Sequence, residues 1–109
     1  MTKLEKDFDS FLIENTEYTT LKPVFEHLKH YLVEIDYDGI CFDCILDEEC
    51  LNISLKTYEG LTISITKRKE YLDNNMVSLN IFRNRKIVFC GVVECENIQK
   101  IAENVKKHP

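Results

Sequence analysis

Apolar residues change their spacing three times along this chain, and each change marks a new kind of element. Over residues 2–14, Leu4, Phe8, Phe11 and Leu12 recur at helical spacing, and Thr2 and Glu5 stand at capping-box distance, so an amphipathic helix is expected there. The polar run 15–20 interrupts it. The helical period then resumes over 22–35, with Leu21, Val24, Phe25, Leu28, Tyr31, Leu32 and Ile35 on one stripe. Pro23 fits because a missing N–H costs nothing in the first turn of a helix.

After Asp38-Gly39 the period drops to two. Strands are expected at 40–46, 51–57, 61–67, 77–82 and 87–93. Leu51, Ile53 and Leu55, then Leu61, Ile63 and Ile65, then Val77, Leu79 and Ile81 fall on one face. Asn52, Ser54, Lys56, Thr62, Ser64, Thr66, Ser78 and Asn80 fall on the other. Residues 95–107 return to the helical period through Ile98, Ile101, Ala102 and Val105.

The order α-α-β-β-β-β-β-α predicts one α+β domain over 1–109. Its five-stranded, mostly antiparallel sheet should carry the N-terminal helices and the C-terminal helix on one face. The expected core sets Ile53, Leu55, Ile63, Leu79 and Ile81 beneath Leu28, Leu32, Ile98 and Ile101. Strands 40–46 and 87–93 are apolar on both sides, which is usual for central strands. A strand order 3-2-1-5-4, with these two paired in the middle, is therefore favoured over a plain meander, which would leave both at edges. In strand 87–93, alternation puts Ile87, Phe89 and Val93 on one side and Val88, Cys90 and Val92 on the other. The second strip lacks an evident cover within the chain, which suggests a homodimer or a tight complex.

At 109 residues the chain suits a single core. The net charge of −5 argues against sequence-independent nucleic-acid binding. The distribution of charge is more telling. Residues 1–60 hold fourteen acids against five Lys/Arg, and residues 61–109 hold five against nine. Acids crowd at Glu34, Asp36, Asp38, Asp43, Asp47, Glu48 and Glu49; bases gather at Lys67–Lys69 and at Arg83, Arg85 and Lys86. Such a dipolar surface suits electrostatic steering of a protein partner. The start of the chain has no apolar core of a leader, and no run is long enough to span a membrane. Five cysteines, an odd number, then read as reduced thiols in the cytoplasm.

Candidate chemistry is sparse. Cys41 and Cys44 have metal-like spacing, but on a strand they point to opposite faces and cannot share one ion. Cys95, at a helix N-terminus, is the cysteine expected to be most reactive. Glu34, Asp36, Asp38 and Gly39 copy the first half of a calcium loop, whose twelfth position should be a bidentate Glu and is Ile45. His27 and His30 lie one helical turn apart and read as a surface pair without a third ligand. Three scattered glycines exclude a phosphate-cradling loop. Gly91, inside a strand, marks a bulge or a close approach of another backbone.

No motif marks a family, a catalytic set, a metal or a cofactor. The sequence therefore reads as a non-enzymatic cytoplasmic protein-binding module: an adaptor, chaperone or inhibitor, possible as a homodimer. The residues expected to meet the partner are Asp36, Asp38, Asp47, Glu48, Glu49, Arg83, Arg85, Lys86, Val88 and Val92. The alternative is a nucleic-acid-associated regulator using the basic loops 67–69 and 83–86. It is disfavoured because those loops close opposite ends of the sheet and Phe82 is the one aromatic residue near them on the exposed face.

Overall fold

The structure is a computed structural model that describes residues 2–15, 22–33, 35, 37, 41–46, 49–57, 60–68, 70 and 74–108. Three helices pack on one face of a five-stranded antiparallel sheet, in the order α1 (Lys3–Glu14), α2 (Lys22–Leu32), β1 (Cys41–Leu46), β2 (Cys50–Lys56), β3 (Leu61–Arg68), β4 (Met76–Arg83), β5 (Lys86–Glu94) and α3 (Ile98–Lys107). A single 3-10 turn, Cys95–Asn97, leads from β5 into α3. The capping box is formed: Glu5 N–H donates to Thr2 Oγ1 at 3.2 Å, and Thr2 N–H donates to Glu5 Oε1 at 3.3 Å. Helix α2 stops at Leu32 rather than Ile35. Ile35 N–H still bonds back to the Leu32 carbonyl at 3.0 Å, and the Ile35 side chain is buried beyond the helix end.

The strands follow one another across the sheet as β1-β2-β3-β4-β5, a meander. The favoured order 3-2-1-5-4 is thus corrected, and the hairpins explain why. Gly60 N–H donates to Thr57 O at 3.1 Å, and Thr57 N–H donates to Leu61 O at 2.9 Å, closing the β2–β3 turn locally. Asn84 and Arg85, both at positive φ, close β4–β5 in two residues. Neighbours in sequence therefore become neighbours in space, and the doubly apolar strands take the edges.

Register confirms the alternation. Ile53 lies opposite Ile65 and Leu55 opposite Ile63 across β2–β3, and Ile63 and Ile65 face Ile81 and Leu79 across β3–β4. All six side chains are fully buried, as are Leu28, Leu32 and Ile98 from the helices, while Ile101 is half-buried at the rim. The aromatic layer seals the β1 end: Phe8 meets the Phe25 ring edge-on at 4.7 Å and the Phe42 ring at 5.4 Å, and Phe11 stacks on Phe25 at 5.2 Å. Lys29 on α2 bonds Asp9 on α1, and that bond holds the Lys29 ammonium above its ordinary pKa.

Candidate functional site: the uncovered face and its edges

All three helices lie on the face that carries Leu51–Leu55, Leu61–Ile65 and Val77–Ile81. The opposite face is built in cross-strand rows that register specifies. One row runs Cys41, Lys56, Thr62, Phe82 and Ile87; the next Asp43, Ser54, Ser64, Asn80 and Cys90; the third Ile45, Asn52, Thr66, Ser78 and Val92. Short hydroxyl and amide side chains form the middle of this face. Thr66 Oγ1 donates to Asn52 Oδ1 at 2.6 Å within it. The flanks are aliphatic: Ile45 on β1 is 56% exposed, and Val92 and Ile87 on β5 are 65% and 62% exposed. A groove of about 420 Å³ runs along its end, walled by Thr66, Arg68, Met76, Ser78 and Val92.

Ile87 stands on this face because of a bulge. Ile81 pairs with Phe89 but Phe82 pairs with Ile87, so Val88 is an extra residue and the alternation shifts by one. The expectation that Ile87 shares a side with Phe89 and Val93 is corrected accordingly. Phe89 and Val93 turn toward the helices, half-buried, and Ile87 turns away. Gly91 is not the bulge. A Cβ there would touch only the Phe89 ring, at 3.7 Å.

The sequence-derived partner residues divide. Asp36, Asp38, Asp47 and Glu48 lie outside the described residues. Glu49, Arg85, Lys86, Val88 and Val92 are exposed. Arg83 faces inward at the end of β4, opposite Leu61, and its Nη2 donates to the Val105 carbonyl at 2.7 Å, capping the C-terminal end of α3. Asp43, the acid inside an apolar strand, points into solvent from the uncovered face.

The first basic loop does not present Lys67 at the surface. Lys67 occupies the inward position after Leu61, Ile63 and Ile65 and is 3% exposed. Its ammonium donates to Asn74 O (2.8 Å), Asn74 Oδ1 (2.8 Å) and Met76 O (2.6 Å), and burial pulls its pKa below the ordinary lysine value. Arg68 is exposed and pairs with Glu70 at 3.4 Å; Lys69 lies outside the described residues.

Cys41, Cys44, Cys90 and Cys95 carry free thiols. Cys41 faces outward opposite Lys56 and Cys44 inward opposite Ile53, the opposition that precludes a shared ion. Burial, then the charge of Asp43, pushes the Cys44 pKa up to about 12. Cys95 is corrected: at 2% exposure its pKa is raised by burial, which outweighs the opposing pull of Lys67, so this thiol is not activated. Among the described residues no three His, Cys, Asp or Glu side chains converge to hold a metal, and no helix is long and apolar enough to cross a membrane.

Two features went unread in the sequence. His27 Nε2 donates to Asn75 Oδ1 at 2.6 Å, and Asn75 Nδ2 donates to Glu96; Cys95 N–H donates to the Asn75 carbonyl at 2.8 Å. Together these tie the β3–β4 link to α2 and to the start of α3, through contacts too distant in sequence for spacing to signal. The second is Ile45 as an outward aliphatic, which its alternation with Asp43 could have signalled. His27 and His30 are both exposed and each meets the Tyr31 ring edge-on, at 5.0 and 5.1 Å. No family model, curated protein or solved structure matches this chain.

Proposed function

We propose that the chain is a non-enzymatic cytoplasmic binding module whose partner, a protein, docks on the uncovered sheet face. One observation carries the reading: exposed aliphatic side chains, Ile45 on one edge strand and Ile87 and Val92 on the other, flank a floor of short polar side chains with none of the described helices over it. A floor of Ser, Thr and Asn offers hydrogen bonds at small entropic cost, and the aliphatic flanks supply area to remove from water. The exposed cations Arg85 and Lys86 at one end of β5 add steering, and the exposed Glu49, just ahead of β2, would complement a basic partner region. The nucleic-acid alternative gives up Lys67, which is spent inside the fold.

The test is proximity capture of the native partner, followed by the double substitution Ile45→Lys/Val92→Lys. Capture should be lost while the circular-dichroism melt stays unchanged, because both side chains already face water. Ile13→Lys, at a still more exposed aliphatic on α1, should leave capture intact. Loss with Ile13→Lys and retention with Ile45→Lys/Val92→Lys would move the binding surface to the helical layer.

A further inference from the structure

The two sheet edges are protected very differently. Strand β1 has six residues and carries Asp43 in the middle of its exposed side, a charge of the kind that discourages strand pairing. Strand β5 has nine residues and bears no charge between Lys86 and Glu94. Among the described residues no strand pairs with its second edge, so a row of backbone N–H and C=O groups there lacks a ladder partner.

Two properties of β5 select a second copy of the same chain as the occupant. The strand is antisymmetric in charge. Arg85 and Lys86 stand at its start and Glu94 and Glu96 at its end, so antiparallel self-pairing brings each basic end to the acidic end of the other copy. Those acids are crowded: the hydrogen bond to Glu96 and its charge hold the Glu94 carboxyl above the usual range, and cations brought beside them would relieve the repulsion. The strand is also self-complementary in shape. Its ladder to β4 is regular from Phe89 to Glu94, with the bulge at Val88 left outside. A two-fold axis at Gly91 sets Phe89 against Val93 of the second copy on the helical side, and Cys90 against its Val92 on the uncovered side. Each pair is apolar on apolar, an arrangement that stabilises adjacent strands. Gly91, the residue on the axis, lacks a side chain where the two backbones meet.

We infer that β5 pairs antiparallel with β5 of a second copy about an axis through Gly91, joining two sheets into one of ten strands. The inference does not depend on what the uncovered face binds; it extends that face across both copies.

The experiment begins with light scattering of the purified chain over a micromolar dilution series, where a dimer mass is expected. Cys90→Lys should yield a monomer, since each copy would then place a cation against Val92 of the other. Glu94→Lys should weaken the dimer by about tenfold or more, and adding Arg85→Glu and Lys86→Glu to it should restore association. Val92→Cys fixes the register: oxidation should join it to Cys90 of the second copy in a reducible covalent dimer, which Cys90→Ser/Val92→Cys should not form. A chain that stays monomeric when concentrated overturns the inference while leaving the docking face untouched. So does a dimer that survives Cys90→Lys and fails to cross-link through Val92→Cys.

Discussion

The two faces of this sheet are made by the same five strands, yet they differ in nearly every physical respect. On the helical side Ile53, Leu55, Ile63, Ile65, Leu79 and Ile81 are shut away from water under α1, α2 and α3. On the other side their immediate neighbours Asn52, Ser54, Ser64, Thr66, Ser78 and Asn80 lie beneath none of the described helices, between two exposed aliphatic edges. Alternation lets one strand serve both ends at once. The buried apolar side chains are concentrated on the side that the helices cover.

The largest effect should separate the two faces by one residue. Ile63→Ala opens a cavity in the centre of the core and should cost about 2–5 kcal/mol in urea denaturation. Ser64→Ala, its neighbour on the uncovered face, should change stability by less than about 0.5 kcal/mol. Similar costs for both would mean that something in solution covers the second face as firmly as the helices cover the first.

Next comes Lys67, the polar end of the inner face. Lys67→Met deprives Asn74 O, Asn74 Oδ1 and Met76 O of their shared donor, an expected loss of about 1–3 kcal/mol. Its pH dependence carries a sign. Burial lowers the folded pKa beneath the unfolded value of 10.5, so the folded chain holds fewer protons there than the unfolded one. The titration-linked part of its contribution is complete above 10.5 and is lost as pH falls through the lowered value. Lys29 behaves oppositely, because its bond to Asp9 raises the folded pKa. Its contribution is complete below the unfolded value and is lost as pH climbs through the raised one. Stability differences between wild type and Lys67→Met or Lys29→Met, followed through alkaline pH, should therefore slope in opposite directions. A flat difference for Lys67→Met would place Lys67 in solvent and erase the distinction between faces at that end.

Most of the architecture was legible because it is local. Element types, the capping box at Thr2 and the inward set from Leu51 to Ile81 all follow from spacing within a dozen residues. What escaped was set by longer-range competition. Strands β1 and β5 read as central because both sides are apolar, yet the sheet is a meander, with local closure of the turns at 57–61 and 84–85. The bulge at Val88 turned Ile87 over, and no residue in Ile87–Val93 announces it. Lys67 looked like one of three surface cations although its place in the alternation points inward. Cys95 sits at the helix N-terminus that would activate a thiol, but burial there prevails. Of the site itself, Val88 and Val92 were readable as outward aliphatics on β5, while Ile45 was passed over because it seemed to belong to a buried strand.

The rim between the faces gives a smaller test. Gly60 has φ +81°, and a Cβ added there would sit 2.7 Å from Asn84 Oδ1, in the neighbouring hairpin. Gly60→Ala should destabilise by about 1–2 kcal/mol from backbone strain, with the clash met by rotation of the Asn84 side chain. Gly60→Ala combined with Asn84→Ser measures the share due to contact: a full recovery would show that the turn tolerates Cβ and that the glycine is kept for Asn84 alone.

The smallest expected effect has the opposite sign. Asn84 and Arg85 both lie at positive φ, 50° and 73°, in the two-residue turn joining β4 to β5. Such turns favour Asn at the first position and Gly at the second, so Arg85 occupies a place where its Cβ is a liability. Arg85→Gly relieves that strain, but the unfolded chain gains freedom, and the net gain should be roughly 0.5–1 kcal/mol. An exposed arginine held in a strained turn beside Lys86, at the basic end of the free edge, fits a residue kept for association rather than for the fold. Arg85→Gly should therefore raise the denaturation midpoint and at the same time weaken association of the chain, more at low salt than at high. A variant that is more stable and associates unchanged would assign the arginine to neither face. A less stable one would show that its side chain is bonded within the fold, and the basic end of β5 would then belong to the stabilising side of the molecule.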